Sequence, residues 1–164
     1  MAEDAAALSL VASATFLEAF AGILAGPDIV AHCANKSSPA AFAHWLADPA
    51  SIVMLAEAAD GAAPLAYTVL TTPDLPIETG EGDIELKRIY VLERAHGRGL
   101  AGELMARVLA DARALGKRRI LLGVYGGNRR AQRFYEKQGF AAVGTRQFQV
   151  GGTLHDDLIY ARSL

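Results

Sequence analysis

The stretch LKRIYVLERAHGRGLAG, residues 86–102, decides the fold. It begins with the β-branched and aromatic residues typical of a strand and ends in glycines that open an apolar helical stripe. A strand, a glycine-rich loop and a helix in this order aim several backbone N–H groups at one place, where they bind phosphate. Arg94 and Arg98 add positive charge to residues 94–101, here called the glycine loop. A tight strand-to-helix turn without a ligand is the alternative.

Two familiar nucleotide motifs do not fit this loop. Gly97, Gly99 and Gly102 match the G-x-G-x-x-G pattern, but a dinucleotide site also has an acidic residue about 20 positions later. That region contains the basic residues 117–119 and no acid. A P-loop requires Gly-Lys followed by Ser or Thr, which is absent here. The loop therefore indicates a phosphate-binding turn of another type.

The strand that precedes the loop changes its pattern part-way. In a regular strand, Ile84 and Leu86 would lie on one face, whereas Ile89 and Val91 would lie on the opposite face. Because side chains alternate strictly along a strand, this change predicts a β-bulge near Lys87-Arg88. The alternative is that the strand is ending here and its apolar alternation is simply less regular.

The remaining elements follow from periodicity and from turn residues. We predict helices over residues 4–24, 39–48, 100–115 and 128–138, with Gly26-Pro27 ending the first. We predict strands over residues 51–57, 64–71, 83–91, 120–124, 140–148 and 158–161, the last two joined by a turn at Gly151-Gly152. Strands and helices alternate only in the middle of the chain. We therefore expect one α/β domain over residues 1–164, with a mixed sheet and helices on both faces.

Composition excludes several classes of protein. The net charge of −2 and the lack of a basic stripe argue against a nucleic-acid partner, and no apolar run is long enough for a membrane span. The one cysteine, Cys33, allows no internal disulfide, which suits a cytoplasmic location. The four histidines lack metal-ligand spacing, so we expect no metal.

Two linked motifs resemble one family. The segment RAHGRG at residues 94–99 is similar to the pyrophosphate-binding motif of the GNAT family of N-acetyltransferases. The segment NRRAQRFYEKQGF at residues 128–140 resembles that family's next motif, at the expected distance. Within the family, residues 148–159 are most similar to the bacterial PaiA-like polyamine N-acetyltransferases. The family normally begins with a short strand that would end near residues 2–4, so that strand is either absent or incomplete here.

The resemblance implies that acetyl-CoA is the co-substrate. It further implies direct transfer of the acetyl group, through a ternary complex, to a primary amine of a small molecule. The strand of residues 86–91 would splay from its neighbour at the bulge, and the backbone of Ile89 and Val91 would pair with the pantothenate arm and polarise the thioester carbonyl. The residues that the resemblance places against the coenzyme are Ile89, Tyr90, Val91, Arg94, Gly97, Arg98, Gly99, Leu100, Ala101, Asn128 and Phe134.

The resemblance also suggests two catalytic residues. Tyr135 would be the general acid that protonates the departing thiolate, although a lone helix tyrosine is more often a packed core residue. Glu85 would be the general base, directly or through water, and its alternative is a carboxylate at the wet edge of a strand. Asn128 would bond the coenzyme arm, and it is also a good helix N-cap; the two roles are compatible.

Residues 73–85, here called the acidic segment, bear on the acceptor. They contain no basic residue and five acids: Asp74, Glu78, Glu81, Asp83 and Glu85. One interpretation is that the segment lines the entrance of the active site and attracts a cationic substrate such as a polyamine. The other is an ordinary solvated surface.

Several functional alternatives stay open at this point. The same fold serves non-catalytic acyl-CoA-binding regulators, for which Tyr135 would have no purpose as an acid. The sequence is compatible with transfer to a protein N-terminus or lysine and with an acyl donor longer than acetyl. It is also compatible with a homodimeric assembly. A covalent route through Cys33 beside His32 is disfavoured, because adjacent residues on a helix do not face each other.

Overall fold

A computed structural model describes residues 2–150 and 153–164 of the chain, with the side chains of residues 4–150 and 154–164. The helices are α1 (Ala2–Phe20), α2 (Gly26–Lys36), α3 (Pro39–Ala47), α4 (Leu100–Ala114) and α5 (Arg129–Lys137), and a 3-10 turn covers Glu93–Ala95. The strands are β1 (Ile52–Glu57), β2 (Pro64–Thr71), β3 (Asp83–Val91), β4 (Arg119–Tyr125), β5 (Ala141–Val150) and β6 (Thr153–Ser163). The predicted turn at Gly151-Gly152 lies outside the described residues.

The six strands form a mixed sheet in the order β1-β2-β3-β4-β6-β5. β3 pairs with β4 in parallel over three residues, from Asp83 opposite Arg119 to Glu85 opposite Leu121. β6 pairs antiparallel with both β4 and β5. The mixed α/β fold expected from the sequence is therefore confirmed.

The chain divides into two compact units. The first unit contains the chain up to Val69 together with Arg88–Leu104. Its core is made by one face of α1 and by side chains of α3 and β2, with partly buried residues of β1 and β3 packed against them. The fully or nearly fully buried members are Ala5, Leu8, Val11, Ala12, Phe42, Tyr67 and Val69.

Helix α2 corrects the sequence interpretation. Gly26-Pro27 was predicted to end a helix, and α1 does end at Phe20, but a new helix begins at Gly26. Pro27 occupies the first turn, where its missing N–H costs nothing, and Asp28 adds a favourable negative charge there. Proline thus starts this helix instead of marking a loop.

The second unit contains Leu70–Lys87 and Met105–Leu164. Leu75, Leu121 and Ile159 form one of its buried clusters. The run Ile120–Leu122 in β4 is almost completely buried, as expected for a strand with neighbours on both sides. Strand β6 is longer than the four residues predicted, because it pairs along its length with β5.

Strand β3 is uninterrupted from Asp83 to Val91. In the part that belongs to the first unit, the Tyr90 ring stacks on Tyr67 with centroids 5.8 Å apart. Ile89 and Val91 alternate with Tyr90 and are half-buried. The bulge near Lys87-Arg88 stays a prediction.

A register irregularity that the sequence did not indicate lies in β5. The pairing of β5 with β6 shifts between Ala142 and Gly144, which leaves the intervening Val143 exposed. Among the described residues, no helix is both long enough and apolar enough to cross a membrane.

Candidate active site

The glycine loop has an open backbone. Gly97 and Gly99 adopt φ values of 77° and 85°, in the left-handed region that disfavours residues with a Cβ. A Cβ placed on Gly97 would have no atom within 4 Å, and one on Gly99 would meet only the Glu103 side chain, at 3.9 Å. The loop therefore has room beside its backbone for a ligand.

The same loop has free hydrogen-bond donors. None of the five N–H groups from Gly97 to Ala101 donates to a backbone carbonyl of the described chain. The N–H groups of Gly102 and Glu103 both reach the Gly99 carbonyl, at 2.9 and 3.1 Å, and this closes the first turn of α4.

The charge of the loop suits an anion. The free N–H groups lie at the positive end of the α4 dipole, and the side chains of Arg94 and Arg98 are exposed. This combination of donors, dipole and cations can bind a phosphate or a pyrophosphate.

His96 fixes the start of the loop, and the sequence analysis did not identify it. Its Nε2 lies 2.8 Å from the carbonyl oxygen of Val91, to which it donates in the tautomer that carries the proton on Nε2. Its Nδ1 is buried and has no partner among the described residues. The contact ties the start of the glycine loop to the end of β3.

In the second unit, Asn128 caps α5. Its Oδ1 accepts a hydrogen bond from the Ala131 N–H at 3.0 Å, and the residue is exposed. The N-cap role considered from the sequence is confirmed. The cap uses only the amide oxygen, so the amide nitrogen can still donate to a ligand.

Tyr135 is a packed residue of α5. It is 8% exposed, and its ring lies 5.5 Å from Phe134, 5.9 Å from Phe140 and 6.4 Å from Tyr160 between centroids. The Tyr135 ring is therefore part of the core of this unit, and its role as an acid stays a prediction. The Tyr160 hydroxyl donates to a carboxylate oxygen of Glu136 at 3.1 Å.

Gln132 positions α5 and was missed from the sequence. It is 3% exposed, and its Nε2 donates to the carbonyl oxygens of Gly126 at 2.8 Å and Tyr125 at 3.3 Å. These bonds join the helix to the end of β4. A glutamine whose partners are backbone carbonyls leaves no sequence pattern, so only the structure could identify it.

Glu85 is buried, which excludes the wet-edge interpretation. It is 1% exposed, and its Oε2 accepts a hydrogen bond from the Asp74 N–H at 2.7 Å. The Lys87 ammonium lies 3.4 Å from Oε1 and also 3.4 Å from the Asp74 carboxylate. The carboxylate thus sits against a cation and a backbone donor.

Asp83, a second acid of the acidic segment, is also engaged. Arg119 donates to its two carboxylate oxygens at 2.8 and 2.7 Å, and the Gly80 N–H donates at 2.8 Å. The hydrogen bonds from Arg119 hold the pKa of Asp83 below its usual range. Asp83, Glu85 and Asp74 therefore each contact a cation of the protein, and Asp74 is exposed, as are Glu78 and Glu81.

Comparison with known proteins identifies the family. The model of the acetyltransferase (GNAT) family matches residues 19–140, which is well over half of the chain. The chain belongs to the GNAT family. Relatives of this GNAT protein include uncharacterized N-acetyltransferases of Mycobacterium bovis and Mycobacterium tuberculosis, each 38% identical over 161 residues and covering 98% of both chains.

Solved structures agree on the fold of this GNAT protein. The PaiA N-acetyltransferase of Thermoplasma acidophilum in complex with coenzyme A matches with a TM-score of 0.75 at 18% identity, covering 99% of this chain and 94% of that one. The ribosomal-protein-alanine N-acetyltransferase of Brucella melitensis matches with a TM-score of 0.75 at 22% identity, covering 100% and 96%.

Membership makes this GNAT protein an acetyl-CoA-dependent N-acetyltransferase. The residues predicted from the sequence for the site are described unit by unit. The first has the backbone of Ile89–Val91 and the glycine loop, and the second has Glu85, Asn128, Phe134 and Tyr135. Within the described part of the chain, no group of three or more His, Cys, Asp or Glu side chains is arranged to hold a metal ion.

Proposed function

We propose that this protein moves the acetyl group of acetyl-CoA directly to a primary amine of a small molecule, through a ternary complex. The observation that carries the proposal is the glycine loop, whose free N–H groups and adjacent space suit the pyrophosphate of the coenzyme. Arg94 and Arg98 would add charge to this cradle. Family membership supplies the acetyl donor.

Each predicted residue has a defined part in this proposal. The backbone of Ile89 and Val91, with Tyr90 between them, would pair with the pantothenate arm. The amide nitrogen of Asn128 would donate to that arm, and Phe134 would pack beside it. What supports these assignments is the match of both segments to the family motifs and the free donors of the loop.

Two side chains would handle protons. Tyr135 would donate a proton to the sulfur as the thioester bond breaks, since near pH 7 a phenol (pKa ~10) carries its proton and a released thiolate (thiol pKa ~8.5) takes one up. Glu85 would accept the proton of the ammonium group through a bridging water, because its own carboxylate is buried. The Lys87 ammonium, 3.4 Å from Oε1, would help to hold that carboxylate in position.

A polyamine is the narrower acceptor that the sequence suggests. Its support is the acidic segment and the resemblance to PaiA-like proteins. The partners found for Asp83 and Glu85 weaken the electrostatic part of that argument, since these carboxylates are already matched by Arg119 and Lys87. A panel of amines separates the candidates.

The test is to incubate the purified protein with acetyl-CoA and primary amines of different charge, and to measure both free thiol and the acetylated product. We expect stoichiometric release of thiol and formation of N-acetyl product with at least one small amine. Tight binding of acetyl-CoA without turnover of any amine would favour the interpretation of the protein as a non-catalytic, acyl-CoA-binding regulator. Turnover only of peptides would favour a protein N-terminus or lysine as the acceptor.

A further inference from the structure

Arg88 is a half-buried cation that the first unit holds in place. Its Nη2 donates to the carbonyl oxygen of Lys36 at 2.8 Å, and its Nη1 donates to the hydroxyl of Ser37 at 3.2 Å. The guanidinium carbon lies 4.8 Å from the centre of the Trp45 ring. Because these contacts already fix the side chain, little conformational entropy would be lost when a ligand binds to it.

The groups that contact Arg88 are neutral. Its acceptors are a carbonyl, a serine hydroxyl and the hydroxyl of Tyr67, and burial raises the pKa of that phenol, so it stays uncharged at neutral pH. Among the side chains that the structure describes, Arg88 takes part in no ion pair. The cations that do are Lys87, Arg107, Arg119 and Arg146.

Two neighbouring side chains, Lys36 and His32, also bear on the charge around Arg88. Lys36 is exposed at the end of α2. Burial and then the charges of Arg88 and Lys36 lower the pKa of His32 to about 4, so His32 is neutral near pH 7. A guanidinium has five N–H donors, and its bonds here leave some of them available. A fixed and uncompensated arginine of this kind is suited to bind a carboxylate.

We infer that Arg88 binds a carboxylate carried by the acceptor, so that the substrate is an amine of the amino-acid class. This inference rests on the proposed function, because it names the acceptor of the same reaction. Arg88 immediately precedes Ile89, whose backbone is proposed to pair with the coenzyme arm. In an acceptor whose amine and carboxylate are a few bonds apart, binding of the carboxylate to Arg88 would therefore hold the amine near the thioester of the coenzyme.

A kinetic test compares amino acids with the amines that they give on loss of CO₂. Suitable pairs are leucine with 3-methylbutylamine and ornithine with putrescine. An aminoalkylphosphonate then shows whether another anionic group can replace the carboxylate. In wild type we expect kcat/KM to favour the carboxylated member by about 10- to 100-fold, as for a hydrogen-bonded charge. Arg88→Gln and Arg88→Lys should remove most of that preference.

A purely structural role for Arg88 predicts a different result. If Arg88 only joined β3 to the end of α2, its variants would lower kcat/KM equally for both members of each pair. Lys36→Gln is the matched control, because it removes an exposed neighbouring charge and keeps the backbone carbonyl that Arg88 contacts. It should change the preference by less than about threefold, since exposed charges are well screened.

A binding test works without turnover. Trp45 is the only tryptophan of the chain, and it lies against the Arg88 guanidinium, so its fluorescence reports on ligands there. Leucine should cause a saturable change in wild type, whereas 3-methylbutylamine should not, and Arg88→Lys should weaken the leucine response about tenfold or more.

The outcomes separate the two proposals. Saturable carboxylate-dependent fluorescence without acetylation of any amine would support the Arg88 site and contradict the proposed function. Acetylation of putrescine in preference to ornithine, or a leucine response that is unchanged in a folded Arg88→Lys variant, would overturn the Arg88 assignment and leave the acetyltransferase proposal intact. Absence of any leucine response in wild type would overturn it as well.

Discussion

The carboxylate of Glu85 accepts a hydrogen bond from the backbone N–H of Asp74, with 2.7 Å between Oε2 and N. The bond joins the beginning of the acidic segment to Glu85, the third residue of β3. A buried carboxylate in this position has a structural function whether or not it also accepts protons during catalysis. The two functions differ in their dependence on pH.

Glu85→Gln separates them. If Glu85 accepts the proton of the acceptor ammonium, kcat/KM should fall by about 10²–10⁴-fold near pH 7. The deficit should shrink as the pH approaches the pKa of the free amine, about 10 for an alkylamine, because the amine then needs no base. The measurement is a pH profile of kcat/KM.

The matched control is Asp74→Asn. It removes the exposed carboxylate next to Lys87 and keeps the N–H that Glu85 accepts, so its profile should follow that of wild type. A Glu85→Gln deficit of the same size at every pH, together with a lowered melting temperature, would assign Glu85 a structural function only.

Gly97→Ala tests the phosphate cradle. Gly97 and Gly61 have similar positive φ values, 77° and 75°, and a Cβ on either would have no atom within 4 Å. Both substitutions should therefore lower the free energy of unfolding by a similar amount, about 1–2 kcal/mol. Only Gly97→Ala should weaken the binding of acetyl-CoA, by about tenfold or more in Kd, because only its Cβ would lie where the phosphates approach.

Titration calorimetry of the two variants checks this prediction. Gly61 lies in the turn between β1 and β2, so Gly61→Ala controls for backbone strain without touching the loop. Equal affinities for acetyl-CoA in the two folded variants would show that the glycine loop does not hold the coenzyme.

Local patterns in the sequence were sufficient to predict most of the fold. β1, β2 and β3 begin and end within a residue of their predicted limits, and Asn128 caps α5 as its residue type suggested. Such features depend on a few neighbouring residues, whose propensities can be seen directly in the chain. The error at Gly26-Pro27 arose because proline both ends helices and starts them.

The contacts of the site could be predicted less well. The partners of Asp83 and Glu85 depend on the register of β3 with β4 and on the path of the acidic segment, which no local pattern encodes. The irregularity near Val143 and the contacts of Gln132 likewise arise from tertiary pairing. The sequence therefore predicts which types of residue make up the candidate site, but it does not predict their partners.

His32 should make stability depend on pH in a defined range. Its ring stacks on Phe16 with centroids 3.8 Å apart, and burial, then Arg88 and Lys36, lower its pKa to about 4. As the pH falls below about 6.5, the unfolded chain gains a proton on His32 that the folded protein does not accept until near pH 4. Folding stability should therefore decrease over this interval.

His32→Phe keeps an aromatic ring against Phe16 and removes the titration. Urea unfolding at pH 7 and pH 5 should show a smaller loss of stability for this variant than for wild type. The other titratable groups are common to both proteins, so the difference between them reports on His32. Parallel losses in the two proteins would contradict the assignment.

Acetyl transfer with Tyr135 as the proton donor is tested most directly by kcat and acetyl-CoA affinity in Tyr135→Phe. The control is Tyr160→Phe, which removes the hydroxyl of a neighbouring buried ring that bonds Glu136. With a true acceptor and chemistry rate-limiting, we predict that kcat falls by about 10²–10⁴-fold in Tyr135→Phe alone. Its affinity for acetyl-CoA should stay near that of wild type. A folded Tyr135→Phe variant whose kcat stays within about threefold of wild type would contradict the assignment.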